Sequence, residues 1–375
     1  MTNTIQHSVS LALFWLFSSS VSANTSIQTL AWEDQHPISI VDRIETQLAY
    51  PQRLNLGQND FNENGQLWYE AALEGYPSAQ NHLGIMYLKG MDTYQSDQEA
   101  VRWFHLAAVQ GSADAQYNLA TMQELGRGTE QNDPEAARWY EKAAEQGDDA
   151  AQNNLGIIYE VGRGVETDIP RSLFWYKKAA VQGNTYAQYN LGALYEKGKL
   201  VQQDYQQALK WFSQAAAQND ADAQFRLGLI YEYALGVKQD YAKATDWYKK
   251  AAQQGHFRAQ NNLGNMYWYG TGANQSYTKA AQWFCKSARQ NYADAQSNLA
   301  YLYANGQGVE LNYQEALIWY QKAADQGDED AHANILNILT RPTRLIESMQ
   351  TIASWFKQAE KHDTAIVCAA QSNAS

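Results

Sequence analysis

The dipeptide Ala-Gln returns every 36 residues without slippage, at Ala79-Gln80, Ala115-Gln116, Ala151-Gln152, Ala187-Gln188, Ala223-Gln224, Ala259-Gln260 and Ala295-Gln296, and closes at Ala331-His332. Tryptophan keeps the same register at Trp103, Trp139, Trp175, Trp211, Trp247, Trp283, Trp319 and Trp355. Two independent positions that agree on one period define a tandem repeat array. A second globular fold has no room inside it, so the chain is expected to form one elongated repeat domain.

The formal charge of −12 disfavours a nucleic-acid backbone or an anionic membrane as the main partner, because both reward clustered Lys and Arg. The doublets Lys177-Lys178 and Lys249-Lys250 sit among mixed charges and read as solvated helix faces. The first 23 residues hold no Asp, Glu, Lys or Arg, and Val9 to Phe17 is a short apolar run followed by small residues ending Val21-Ser22-Ala23. This predicts a signal peptide cut after Ala23 and a protein exported to the periplasm or secreted, although the start carries His7 in place of a Lys or Arg. Asn24 rather than Cys follows the cut, which argues against a lipid anchor there, and no other apolar stretch approaches membrane-spanning length. Cys285 and Cys368 are the two cysteines. They either pair or stand as free thiols, and Cys285 falls in a slot that other repeats fill with polar residues expected at the surface, such as Lys177, Ser213 and Lys249. Neither cysteine has the neighbours a metal site needs.

Residues 148–183 show how one unit is built. Asp148 predicts the N-cap of a first helix whose Ala151, Leu155, Gly156, Ile158 and Tyr159 share one buried stripe. The Gly156 slot holds Gly84, Ala120, Gly192, Gly228, Gly264 and Ala300 in other repeats, which lets another helix approach closely. Gly162-Arg163-Gly164-Val165 is the turn. A second helix starts after Asp168, in a slot filled elsewhere by the favoured caps Ser96, Asn132, Asp204, Asp240, Ser276, Asn312 and Ser348. It buries Ser172, Trp175, Ala179 and Ala180, and each Trp of the series is expected in the core. Ala234 and Leu200 stand where turns elsewhere have Gly, and Gln123 where first helices have Tyr, which predicts local irregularity.

The combination Ala-Gln-x-x-Leu-Gly-x-x-Tyr, Gly-x-Gly-Val, Ala-x-x-Trp-Tyr-x-Lys-Ala-Ala and a closing Gly at 147, 183, 255 and 327 resembles the SEL-like repeat (SLR) family, related to tetratricopeptide units, from about Asn59 to Ala359. The resemblance implies an all-α fold, a right-handed α/α solenoid of helix-turn-helix repeats acting as an adaptor or scaffold. For exported bacterial members it implies envelope processes. The chain then divides into a signal peptide at 1–23, an N-terminal capping segment at 24–58, the solenoid at 59–362 and a tail at 363–375 that covers the last helix pair.

Cysteine-rich relatives implied by the same resemblance bind β-lactams and peptidoglycan, which makes an enzyme or binder of that type the alternative reading. Ser276-Tyr277-Thr278-Lys279 matches the Ser-x-x-Lys nucleophile pattern, yet Ser276 occupies the capping slot and neither Ser-Asp-Asn nor Lys-Thr-Gly occurs. The within-repeat cysteine pairs of those relatives are absent, and Gly-x-Ser-x-Gly, His-Glu-x-x-His and P-loop patterns are missing. The reading is therefore non-enzymatic, with no cofactor and no metal.

What remains is a surface. Three residues after each Ala of Ala-Gln stand Asn118, Asn154, Asn190, Arg226, Asn262 and Asn298, predicted to point away from the core stripe. Such a ladder suits an extended peptide, since an amide both donates and accepts; it equally suits a seam between adjacent helices. Tyr117, Ile157, Tyr189, Phe225, Leu229, Tyr233, Tyr269 and Tyr301 lie beside it as expected solvent-facing anchors for a protein partner. Arg226, the charged member, is the expected source of selectivity for an acidic group. A plain structural spacer is the third possibility.

Overall fold

The computed structural model describes residues 68–91 and 93–340, all within the unit Asn59–Ser375. The expected signal peptide, N-terminal capping segment, tail, Ser348 and Trp355 lie outside the described residues. Residues 68–73 are helical, and fifteen further helices and no strand follow among the described residues. The first helices of successive repeats are α1 (Pro77–Lys89), α3 (Ala113–Leu125), α5 (Asp149–Val161), α7 (Thr185–Lys197), α9 (Ala221–Glu232), α11 (Phe257–Tyr269), α13 (Ala293–Asn305) and α15 (Glu329–Leu339). The second helices are α2 (Asp97–Val109), α4 (Asp133–Glu145), α6 (Ile169–Val181), α8 (Tyr205–Ala217), α10 (Tyr241–Gln253), α12 (Tyr277–Ala288) and α14 (Tyr313–Ala324). From α3 to α13 each first helix packs most heavily on the second helix of its own repeat, then on that of the preceding repeat, which is the α/α solenoid the sequence predicts.

Local chemistry places every boundary. Ser96, Asn132, Asp168, Asp204, Asp240, Ser276 and Asn312 each accept a backbone N–H from the first turn of the second helix they cap. Gly162 closes α5 in the left-handed region at φ 74°. Ala234 must enter the same region at φ 58°, and α9 ends early at Glu232, so the irregularity expected there is present. At Gly164 the constraint is space: a Cβ would lie 2.4 Å from the backbone carbonyl carbon of Asp133, at the start of the preceding repeat's second helix.

The small-residue slot works by steric exclusion. A Cβ on Gly156 would stand 2.4 Å from the Tyr176 ring, and one on Gly192 would stand 2.6 Å from Phe212. The residue after each Trp thus seats its ring on the first helix of its own repeat, and Phe104, Tyr140, Tyr176, Phe212, Tyr248, Phe284 and Tyr320 are all buried. Trp103, Trp139, Trp175, Trp211 and Trp319 are buried as well. Trp247 and Trp283 are less deeply buried than these five. Lys250 and Lys286 place their ammonium groups 3.9 Å and 4.1 Å from those two ring centroids, which covers the open face with a cation.

Cys285 departs from the surface position expected of it. It is buried and disulfide-bonded, whereas Lys177, Ser213 and Lys249 in the same slot are exposed.

The Ala-Gln signature itself is a relay. Gln80, Gln116, Gln152, Gln188, Gln224, Gln260 and Gln296 each donate to a backbone carbonyl eight residues earlier, in the preceding repeat. Each also accepts from a second glutamine thirty residues later, from Gln110 through Gln326, at the C-terminal end of its own second helix. Ala supplies the clearance and Gln spans three helices, so the strict period has a hydrogen-bonding cause.

Candidate functional site

The candidate surface is the solvent side of the first-helix layer. The amide ladder is largely used up within it. Asn118 donates to Asn81 at 2.9 Å, Asn190 to Asn153 at 3.1 Å and Asn298 to Asn261 at 3.0 Å, each bond joining consecutive first helices. Asn154 is buried, and Asn262 bonds the Tyr248 hydroxyl. The ladder is therefore a seam between repeats, and first helices approach closely enough that residues pointing away from the second layer become packed against their neighbours.

The same closeness corrects three expected anchors. Ile157, Phe225 and Leu229 are buried, and Phe225 stacks on His256 at 4.6 Å between ring centroids. Tyr117 and Tyr189 are half-buried, with rings 5.6 Å from Tyr140 and 5.5 Å from Phe212. Tyr233, Tyr269 and Tyr301 remain exposed, at 48%, 68% and 40%.

Arg226 also departs from expectation. Its guanidinium lies 3.5 Å from the Glu196 carboxylate and its Nε donates to the Tyr189 hydroxyl at 3.5 Å, so the charge is answered inside the protein. Burial works against this cation, but the Tyr189 and Glu196 neighbours outweigh it and raise the pKa.

Glu196 belongs to a row the sequence reading passed over, nine residues after the Ala of Ala-Gln. Tyr140 donates to Glu124 at 2.8 Å, with Arg163 bonding the other oxygen at 2.7 Å; Tyr176 donates to Glu160 at 2.8 Å, and Tyr248 donates to Glu232. Phe212 replaces the tyrosine opposite Glu196, which leaves that carboxylate to Arg226. Burial raises the pKa of all four carboxyls above the ordinary value, and the donors oppose it. The signal was visible as Glu at a 36-residue spacing, but a glutamate late in a helix looks like solvated surface until the facing tyrosine is known.

The row stops at the sixth repeat, where the slot holds Trp268 and then Ala304. Trp268 lies nearly parallel to Tyr269, with 5.4 Å between centroids and a 10° interplanar angle, and 5.2 Å from Tyr301. The first-helix face thus changes along its length, from internally bonded carboxylates to an aromatic patch of Trp268, Tyr269 and Tyr301. Such a patch can seat apolar and aromatic side chains of a partner and offer hydroxyls at its edge.

Ser276 is a capping residue in the structure too, accepting from the Lys279 amide at 3.3 Å while the Lys279 ammonium sits 5.2 Å from the Tyr267 ring centroid. The Ser-x-x-Lys pattern therefore has its side chains turned to helix capping and cation–π packing. Among the described residues no group of three or more His, Cys, Asp and Glu is placed to hold a metal, and no helix is long and apolar enough to cross a membrane.

The Sel1 repeat model matches seven consecutive stretches, residues 77–112, 113–148, 149–184, 185–220, 221–256, 257–292 and 293–328. Among solved structures, a protective antigen of uropathogenic Escherichia coli with an SLR fold is 34% identical, with a TM-score of 0.73 over 80% of this chain and 64% of that one. The chain therefore spans less than two thirds of that antigen. A Sel1 repeat protein from Oxalobacter formigenes is also 34% identical, with a TM-score of 0.62 over 74% of this chain and 80% of that one. No curated protein matches the chain. Sel1 repeat proteins generally serve as protein-interaction scaffolds, and the solenoid is typically non-enzymatic. With seven matched repeats over more than half of its length, this chain belongs to the Sel1 repeat family.

Proposed function

We propose that this protein is an exported scaffold or adaptor in a bacterial envelope process, and that it binds a protein partner on the first-helix face of the fifth to seventh repeats. The observation that carries this reading is that Tyr233, Tyr269 and Tyr301 are exposed aromatics on consecutive repeats of a layer in which Ile157, Phe225 and Leu229 are buried. Large exposed rings contribute contact area at small cost in side-chain entropy, which is why they recur as interface anchors. Export is supported by the uncharged apolar start and by the disulfide at Cys285, a bond that persists in oxidising compartments.

The test uses a photo-crosslinking amino acid placed at Tyr269 in the native host, compared with one at Lys249 on the outer face. A single protein adduct from position 269 that is absent from position 249 supports the reading; equal adducts from both positions overturn it. N-terminal sequencing of the exported protein should start at Asn24, and a start at Met1 removes the export part.

A further inference from the structure

The second-helix layer segregates charge. Helices α6, α8, α10 and α12 together hold nine cations and one anion, against two cations and four anions in α4 alone. The residue before each second-helix tryptophan and those two, three and six residues after it share one stripe at helical spacing. On α6, α8 and α10 every one of these positions is exposed, and they carry Lys177, Lys178, Lys210, Lys249 and Lys250; Lys286 continues the stripe on α12. Arg171 and Lys243, near the starts of their helices, pair with the capping Asp168 and Asp240. Among the described residues the six stripe lysines form no ion pair; Lys178, Lys250 and Lys286 instead lie 5.0, 3.9 and 4.1 Å from the ring centroids of Trp175, Trp247 and Trp283. A chain of net charge −12 thus displays a row of positive charge with no carboxylate to answer it. Phe174 and Val181 stand within the row, 51% and 79% exposed. Acidic groups close the row at both ends, Glu141 and Glu145 on α4 and Asp325 just after α14.

We propose that this stripe is a second docking surface, and that its occupant is a short, extended, acidic segment of another protein with an apolar residue seated at Phe174 and Val181. Packed helices lie about 8–10 Å apart, so four of them span roughly 30 Å. An extended chain covers that span in about ten residues, and a carboxylate at about every third residue meets one helix of the stripe. Opposite charge then sets the register, and the apolar seat adds contact that charge alone does not give. A nucleic acid offers nothing apolar to Val181, and an anionic membrane would bring its charge onto Glu141, Glu145 and Asp325 as well. The surface lies on the other helix layer from Tyr269, so a scaffold that uses both layers joins two proteins.

The full chain is titrated with a fluorescent peptide of about ten residues, glutamates around one central leucine. It should bind, and more weakly as ionic strength rises. Lys177→Glu combined with Lys250→Glu should weaken binding about tenfold or more, while Arg102→Glu on α2 leaves it unchanged. The stripe accepts an acidic residue, as Asp246 shows, and circular dichroism checks that the variants keep their helices. Phe174→Ala should weaken binding of this peptide but not of one with alanine in place of the leucine. Tyr269→Ala should bind the peptide like wild type, so the two surfaces succeed or fail separately. No binding of the acidic peptide, wild-type affinity in the double lysine variant, or tighter binding of a single-stranded oligonucleotide or of phosphatidylglycerol vesicles than of the peptide would each overturn the proposal.

Discussion

Gln182 donates to Gln152 at 2.7 Å, and Gln152 donates in turn to the Ala144 carbonyl at 3.0 Å, so one buried side chain ties the third repeat to the second. The same pair recurs in all seven repeats, which makes it the unit of coupling along the stack.

Gln152→Ala removes both side-chain bonds from a buried site, while the Ala144 carbonyl keeps the Gly147 N–H at 3.1 Å. The expected loss is about 1–3 kcal/mol. Because solenoid repeats couple to nearest neighbours, hydrogen exchange should rise in α4 to α6 and not in α12 to α14. Denaturant melts combined with exchange mass spectrometry measure both, and a loss spread evenly over the array would contradict the relay.

Trp211→Ala should cost about 3–5 kcal/mol as a large-to-small change in a packed site, since Trp211 is buried. Trp247→Ala should cost less, because that ring is half-buried and gives up less contact. Urea denaturation of the two variants compares them directly; equal losses would mean that exposure does not govern the cost.

The carboxylate row predicts a pH dependence. Burial raises the folded-state pKa of Glu160 and Glu232 above the ordinary 4.5, so the fold prefers their protonated forms. Their favourable contribution is complete below the unfolded value and is lost as pH rises through the raised folded value. Glu160→Gln with Glu232→Gln keeps an acceptor for Tyr176 and Tyr248 but cannot ionise. The double variant should melt higher than wild type near neutral pH, with the gap closing as pH falls toward about 4. Thermal melts across that range check it, and a gap that widens on acidification would reverse the assignment.

At the partner face, Tyr269→Ala and Tyr301→Ala should each weaken binding of the crosslinked partner by about 1–3 kcal/mol, while Lys249→Ala leaves affinity unchanged. Phe225→Ala should instead lower stability, because that ring is part of the packing against His256 and Tyr248. Calorimetry on folded variants separates the two effects; wild-type affinity in both tyrosine variants would move the interface elsewhere.

The repeat period, the capping residues and the small-residue slot were legible in the chain, because each depends on contacts inside one repeat: Ser276 caps its own helix and Gly156 clears the ring of Tyr176 twenty residues on. Helix periodicity also tells which residues point away from a repeat's own second helix. It does not tell how far off the next repeat lies, since the spacing of consecutive first helices comes from the packing angle of the whole stack. That spacing made Asn190 a partner of Asn153, buried Phe225, and delivered Arg226 to Glu196. The tertiary structure likewise decided that Cys285 is buried while Lys249 in the same slot is exposed, because equal position in the repeat does not fix equal packing around it.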